Sequence, residues 1–440
     1  MLYDRWREVV HDFSNEIALR DLASGQKWTF AHLDSLAAVP PSSEGSLSRA
    51  MGEGVFPQGP AIDFISTILK GWKSGATVCP VEPGQDRPQF PPPPKNIVHL
   101  KITSASTGPA RLVAFTADQL AADARNIIDT MGLRRDWPNL GVISLAHSYG
   151  FSNLITPLLL HGIPLVVANS PLPESVGAAL REIGNATLAG VPALWRAWFD
   201  AGVLSSQNVR LAISAGAPLP VSLERDIFDR CGIKVHNFYG STECGGIAYD
   251  TSDKPRTDAG YAGLTMKHVE LSVADDGCLE VRGDAVGEAY WPQPDDRLAH
   301  RRFRTTDLAG IVDGGVYLRG RATDVINIAG RKISPETIET VLLKHPSVRQ
   351  CVVFGVPEND RERIVACVAL KTKQEQTEER EGKEASVSSR ATAELKQFLL
   401  NHLPAWQVPR DFWFVQDLPT DQRGKLPRAS LRAEYLKLRT

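Results

Sequence analysis

Four short segments carry side chains suited to an anionic, nucleotide-like ligand. Thr103-Ser104-Ala105-Ser106-Thr107-Gly108-Pro109-Ala110-Arg111 follows the strand-like run IVHLKI. In such a loop backbone N–H groups and hydroxyls point at phosphate oxygens, and Arg111 adds charge-assisted bonds. It is not a Walker loop, because G-x-x-x-x-G-K-[ST] is absent. Asn237-Phe238-Tyr239-Gly240-Ser241-Thr242-Glu243, directly after a strand-like run, combines an aromatic able to stack on a base with a glycine allowing close approach. Thr242 can reach a phosphate there, and Glu243 can hold Mg²⁺.

Arg304-Thr305-Thr306-Asp307 and Tyr317-Leu318-Arg319-Gly320-Arg321 bring a carboxylate that can take both hydroxyls of a ribose and an arginine that can reach the same sugar or its phosphate. The fourth segment, Leu418 to Arg428, holds Lys425 in a glycine-containing loop. Singly, each segment also suits a plain turn, a strand end or a solvated loop.

The elements around them are legible between residues 141 and 240. Apolar runs begin at Gly141, Ile163, Ala186, Arg210 and Ile233, steps of 22, 23, 24 and 23 residues. One strand, one covering helix and two short loops fit that step, which predicts a parallel sheet covered on both faces. Ligands of open α/β sheets sit at the carboxyl ends of the strands. That rule singles out His147 and Tyr149, Ser214 to Pro218, and Asn237 to Glu243.

Two low-complexity stretches punctuate the chain. PQFPPPPK, from Pro88 to Lys95, reads as an extended connector, because proline lacks the N–H that helix or interior strand requires. Lys371 to Arg390 carries 10 charges in 20 residues and reads as a solvated, mobile loop. Gly277 to Tyr317 looks rich in strands and turns. After Arg321 the pattern predicts a small α+β domain, with helices at Pro335–Lys344 and Ala391–His402 and strands at Gln350–Val356 and Ile364–Lys371. The expected domains are residues 1–320 and 321–440.

The 440 residues include 49 basic and 51 acidic side chains, a formal charge of -2. That balance excludes broad electrostatic binding to nucleic acid or to a membrane surface. Six separated cysteines, none in a C-x-x-C pair, read as buried thiols of a reducing compartment. No apolar stretch approaches the roughly 20 residues of a membrane span, and the N-terminus lacks a signal peptide's apolar core. A cytoplasmic location is expected.

Together and in this order, the segments resemble the adenylate-forming superfamily: acyl-CoA synthetases, adenylation domains of peptide synthetases, and luciferase, the AMP-dependent synthetases and ligases. Supporting stretches are Phe64 to Pro83, Ser144 to Phe151, Gly190 to Trp195, Ile213 to Pro220, Gly277 to Gly283 and Gly320 to Glu339. The resemblance implies an α/β fold: a large N-terminal domain of stacked, largely parallel, helix-covered sheets with a β-rich subdomain, and a small mobile α+β lid. It implies an enzyme that joins a carboxylic acid to ATP, giving acyl-AMP and pyrophosphate, and then passes the acyl group to a thiol.

On that resemblance Thr103, Ser104, Ser106, Thr107, Gly108 and Arg111 hold the β- and γ-phosphates. Tyr239 and the Ala215, Gly216 and Ala217 backbone flank adenine, with Asn237 and Gly240 in the same nucleotide site. Thr242 meets the α-phosphate, Glu243 binds Mg²⁺, and Asp307 takes the ribose hydroxyls with Arg321 alongside. Lys425 resembles the lid lysine that bridges carboxylate and α-phosphate, His147 the gating residue beside the acyl pocket, and Gly330 the glycine that leaves room for pantetheine.

This sequence departs from the superfamily's pattern at Ala105 (usually Gly), Ala110 (Pro), Arg111 (Lys), Thr306 (Gly) and Thr323 (a hinge Asp or Lys), and it is shorter before the phosphate loop. Arginine reads phosphate as a fork rather than a point charge. These departures motivate a reading of another class, a nucleotide-binding regulator without catalysis. Around His147 the A-H-S-Y stretch offers no carboxylate for a substrate ammonium, which disfavours an α-amino acid. Small residues at Cys244, Gly245 and Gly246, with Ser152 and Asn153, suggest an elongated apolar pocket for a fatty or aryl acid, with a lean to aliphatic. The acceptor is CoA, whose phosphates Arg331 and Lys332 could meet, or alternatively a carrier protein's phosphopantetheine thiol.

Overall fold

The computed structural model describes residues 1–38, 54–103, 110–328, 330–358, 361–371, 384–419 and 428–439. The chain divides into two compact units. One comprises Met1–Ala274, Leu279–Thr305 and Ile311–Tyr317, the other Asp275–Cys278, Thr306–Gly310 and Leu318–Thr440.

In the first unit the chain forms β1 (Ile17–Asp21), β2 (Lys27–Thr29), β3 (Ile97–Ile102), β4 (Leu112–Thr116), β5 (Asn139–Gly141), β6 (Leu165–Val167), β7 (Ala186–Gly190), β8 (Val209–Ser214) and β9 (Val235–Ser241). It continues through β10 (Gly245–Tyr249), β11 (Tyr261–Thr265), β12 (Val269–Val273), β13 (Cys278–Gly283), β14 (Ala289–Trp291), β15 (Leu298–Ala299), β16 (Arg302–Val312) and β17 (Gly315–Arg321). Strands β13, β16 and β17 contribute residues to both units.

The parallel strands run in the order β1-β6-β5-β7-β8-β9. From β5 the chain crosses to β6 on one side, and it then adds β7 on the other. The strand order therefore reverses at β5, the place where α/β sheets open a crevice. Antiparallel neighbours extend the sheet, β2 at one end and β10 and β11 at the other. Its parallel strands pack against the helices Pro173–Ile183, Pro192–Asp200 and Val221–Cys231, where Trp195, Trp198, Leu180, Leu188 and Ile227 are fully buried. A separate three-stranded sheet, β14-β4-β3, carries Thr103 and Arg111 at adjoining strand ends.

Two expected strands are shorter than their apolar runs. The run at Gly141 leaves the sheet at Val142, because Ser144 Oγ accepts from the backbone N–H groups of Ala146 and His147 and turns the chain. The run at Ile163 begins pairing only at Leu165, past Pro164, which has no N–H.

The second unit adds β18 (Ile326–Ile328), β19 (Arg331–Ile333), β20 (Val348–Glu358), β21 (Arg361–Leu370) and β22 (Asp411–Val415). β20 and β21 pair antiparallel and β22 lies parallel to β21. Ile338, Leu342, Leu395 and Leu399 of the helices Pro335–Leu342 and Glu384–Leu400 cover one face, and Leu431 and Tyr435 of the helix Arg428–Arg439 join the cluster on the other. The sequence reading missed β22 and the last helix. It also took Lys371–Arg390 as loop throughout, whereas the helix begins at Glu384; residues 372–383 lie outside the described residues. Charge content alone does not mark that helix start, because an exposed helical turn and a solvated loop have the same composition.

Candidate active site

β9 and β10 form a tight hairpin whose turn is Thr242, Glu243 and Cys244. The segment expected just beyond a strand is thus largely strand: Asn237, Tyr239 and Gly240 lie within β9. Gly240 faces Gly246 across the ladder, and a Cβ on Gly240 would stand 2.6 Å from the Gly245 carbonyl oxygen. Only glycine allows the strands to approach so closely. Asn237 is buried and donates from Nδ2 to the Ala262 carbonyl, 2.8 Å away, so that amide holds β9 to β11. Tyr239, Thr242 and Glu243 are half-buried at the hairpin's end.

Glu243 Oε1 accepts from the Tyr290 hydroxyl at 3.0 Å, and the Gly287 N–H donates to the Glu243 carbonyl at 2.8 Å. Burial, reinforced by the Glu243 charge, raises the Tyr290 pKa, so the phenol stays protonated and remains the donor. The Arg111 guanidinium lies over the Tyr290 ring, 3.4 Å from its centroid. It also donates to Asp295 Oδ2 at 3.0 Å and to the Gln293 carbonyl. Arg297 pairs with the same carboxylate, and its hydrogen bond above all holds the Asp295 pKa well below the usual carboxylate range. At the base of the expected phosphate loop, Thr103 N–H donates to the Arg111 carbonyl and Arg111 N–H to Thr103 Oγ1, both at 2.8 Å. The structure thereby links Thr103, Arg111, Tyr290 and Glu243 through direct contacts. Ser104, Ser106, Thr107 and Gly108 lie outside the described residues.

Ala215, Gly216 and Ala217 turn the chain at the carboxyl end of β8. Ala215 N–H donates to the Gly190 carbonyl, and Gly216 has a φ of 86°. His147 lies past the carboxyl end of β5, its Nε2 3.3 Å from Glu82 Oε1. Beside the hairpin, Asp123 and Met266 pack directly against Gly245 and Gly246. A Cβ on Gly245 would stand 2.0 Å from Asp123 Oδ1, and one on Gly246 2.3 Å from Met266 Sδ. Ser152 is buried and joins Asp123 and Lys101 in a buried polar cluster, Lys101 Nζ standing 3.3 Å from Asp123 Oδ2.

In the second unit Arg321 Nε donates to Asp307 Oδ1 at 3.0 Å, and the two side chains are partly exposed. Gly330 sits in the β18–β19 turn with a φ of 85°, its N–H bonded to Asn327 Oδ1, and open space lies where a Cβ would be. The turn conformation by itself calls for glycine there. Arg331 lies 5.5 Å from the centroid of the Trp406 ring. Lys425 lies outside the described residues.

Sequence reasoning missed Glu82, Tyr290, Asp295 and Arg297. The run Tyr290-Trp291-Pro292-Gln293-Pro294-Asp295-Asp296-Arg297 is dense in aromatic, proline and charge, which is a signal of a built loop, but its partner Arg111 is 184 residues away. Among the described residues no three His, Cys, Asp or Glu side chains could together hold a metal. A single carboxylate such as Glu243 still fits Mg²⁺, which commonly takes one or two protein oxygens and completes its shell with phosphate and water. Burial pushes the thiols of Cys79 and Cys367 up to about 12, which marks them as packing rather than nucleophilic groups. No helix among the described residues is long and apolar enough to cross a membrane.

This architecture is found in solved structures. ATP-bound MatB from Rhodopseudomonas palustris superposes with a TM-score of 0.83 at 19% identity, covering 100% of both chains. The anthranilate CoA ligase AuaEII superposes with 0.82 at 18%, covering 100% of this chain and 98% of its own. At these identities the likeness shows the fold. Among curated relatives, p-hydroxybenzoic acid–AMP ligase FadD22 of Mycobacterium tuberculosis is 27% identical over 77% of this chain and 49% of its own length. Benzoate–CoA ligase of Thauera aromatica is 27% identical over 75% and 64%, and long-chain-fatty-acid–CoA ligase FadD13 of Mycobacterium tuberculosis 24% over 86% and 74%. The chain spans about half the length of the first of these relatives. The pattern of the AMP-binding enzyme C-terminal domain matches residues 337–425, and that of the AMP-binding enzyme itself matches residues 49–294, across strands β3 to β14 with the β9–β10 hairpin. The chain belongs to the AMP-binding enzyme family.

Proposed function

We propose that this chain is an AMP-forming acid–thiol ligase. A carboxylate oxygen of the acid attacks the α-phosphorus of ATP, the bond to the β-phosphate oxygen breaks, and pyrophosphate leaves. A thiol sulfur then attacks the acyl carbon, the bond to the AMP oxygen breaks, and AMP leaves. The observation that supports this best is the connected set Thr103–Arg111–Tyr290–Glu243 at the end of β9, which ties the base of a hydroxyl-rich loop to a carboxylate. Mg²⁺ held by Glu243 would offset the charge that keeps two anions apart. The chain's own part is positioning: Tyr290 orients the Glu243 carboxylate, and the rigid hairpin fixes Thr242 beside it. CoA is the favoured acceptor and a carrier-protein phosphopantetheine the alternative.

For the acid, we favour a compact aryl carboxylate over a long aliphatic one. Residues expected to line a long groove are engaged in packing and polar bonds: Asp123 lies against Gly245, Met266 against Gly246, and Ser152 bonds to Lys101 and Asp123. An acyl chain of many carbons would have to displace those groups.

The test is pyrophosphate release with ATP, Mg²⁺ and hydroxylamine across aryl, fatty and amino acids, followed by thiol transfer to CoA and to a loaded carrier protein. Release with aryl acids is expected; release with fatty acids alone would overturn the substrate class. ATP binding without release for any acid would instead favour the regulator reading. Lys425→Ala should lower adenylation by about a hundredfold or more while sparing thiolysis of supplied acyl-adenylate. Equal loss of both half-reactions would remove Lys425 from that role.

A further inference from the structure

Glu82 stands outside the four chemistry-bearing segments, and its backbone is held firmly. Val78, Cys79 and Val81, which lead into it, are buried. Cys79 N–H donates to the Val55 carbonyl, Val81 N–H to that of Pro57, and Val78 exchanges hydrogen bonds with β3 through Val98 and Leu100. The Glu82 carboxylate thus reaches the carboxyl end of β5 from a rigid platform. There Oε1 accepts from Ser144 Oγ and stands 3.3 Å from His147 Nε2. The Glu82 and His147 side chains are 25% and 38% exposed, so each is partly withdrawn from water. Ser144 Oγ in turn accepts from the backbone of Ala146 and His147. Gly150 closes the turn, since a Cβ on it would stand 1.9 Å from the Ser144 carbonyl oxygen.

We propose that Glu82 is a positioning residue for the acid-binding step. Its carboxylate, bonded to the Ser144 hydroxyl and 3.3 Å from His147 Nε2, favours one ring orientation and the Nε2–H tautomer of His147 where the strand order reverses. A charge-assisted acceptor on one ring nitrogen selects the tautomer that donates to it. Without Glu82 the imidazole loses the charged acceptor that favours one orientation, and acid binding must supply that ordering instead. Glu82 would act through His147 and not on the acid directly. The proposal rests on the reading of His147 as the residue that borders the acid.

The test compares Glu82→Ala, Glu82→Gln, His147→Ala and the Glu82→Ala/His147→Ala double variant in the full chain. Glu82→Ala should raise KM for the acid about tenfold while KM for ATP stays within about twofold, the loss expected of one charge-assisted hydrogen bond. Glu82→Gln, whose amide oxygen accepts the same bonds, should recover most of the loss. The double variant should be no worse than His147→Ala alone, since both changes remove one coupled unit. Imidazole NMR of histidine-labelled protein, with the His147 signals identified by their absence in His147→Ala, gives a readout that needs no turnover. The wild type should show the Nε2–H tautomer and Glu82→Ala a mixture. An unchanged tautomer, or additive losses in the double variant, would overturn the proposal. A changed tautomer in a protein that turns over no acid would sustain the Glu82–His147 coupling and sink the proposed reaction.

Discussion

Arg111 illustrates how much one residue type changes the chemistry of a loop. A lysine there would present a compact charge to phosphate, whereas the arginine fork spreads over Asp295, the Gln293 carbonyl and the Tyr290 ring. Tyr290 is the pivot, because the same side chain carries Arg111 on its face and donates from its hydroxyl to Glu243. Tyr290→Phe keeps the ring and removes only the donor. A hydrogen bond to a charged group is worth about 1.5–3 kcal/mol, so adenylation should fall roughly tenfold or more, with a higher Mg²⁺ requirement. Pyrophosphate release titrated with Mg²⁺ checks this, and an unchanged Mg²⁺ profile would show that Tyr290 does not orient the carboxylate.

At the scale of elements, the β9–β10 hairpin and its buried ion network decide whether Thr242 and Glu243 are held still. Gly240→Ala would drive a methyl group to 2.6 Å from the Gly245 carbonyl oxygen, a contact the backbone ladder cannot relieve. The expected result is a folded protein with far weaker ATP binding, measured by calorimetry; wild-type affinity would show that the hairpin tolerates splaying. Below the hairpin, Lys234 bonds to the carboxylates of Glu224 and Asp250, and Arg256 Nε donates to Glu224 Oε2 at 2.8 Å. Arg256 also donates to the carbonyls of Tyr261 and Leu219. This network joins the turn after β8 to β9, β10 and β11. Glu224→Ala would leave two buried cations short of a partner and should cost about 3–5 kcal/mol. A denaturation midpoint close to that of the wild type would mean the cations find water or each rearrange.

Across the whole molecule, pH enters through histidines buried without charge. Burial, with Lys101 adding to it, lowers the His99 pKa well below its ordinary value, and burial likewise lowers that of His236. Above about pH 6.5 these rings are neutral in both folded and unfolded chains and contribute no slope. Below it the unfolded chain binds protons that the folded chain refuses, so stability falls as pH falls, by up to about 1.4 kcal/mol per pH unit for each ring. His99 is fully buried against Phe151, ring centroids 4.4 Å apart. His99→Gln should therefore flatten the loss of Tm between pH 7 and pH 5. A slope equal to that of the wild type would assign the acid sensitivity elsewhere.

The βα series, the β-rich stretch before Tyr317 and the α+β C-terminal region were legible from sequence, because they rest on local periodicity and on glycine and proline, which act over a few residues. The Tyr239–Glu243 segment and Asp307 with Arg321 could be singled out from sequence because each is contiguous or nearly so. Tertiary structure alone decided what these groups touch. It brought Arg111 to Asp295 and Tyr290, set Glu82 beside a His147 that the sequence left without a carboxylate, and packed Asp123 and Met266 against Gly245 and Gly246. The physical reason is one of range. Secondary structure follows from hydrogen bonds and sterics between near neighbours, while the charge and volume of a site depend on side chains that only packing brings together.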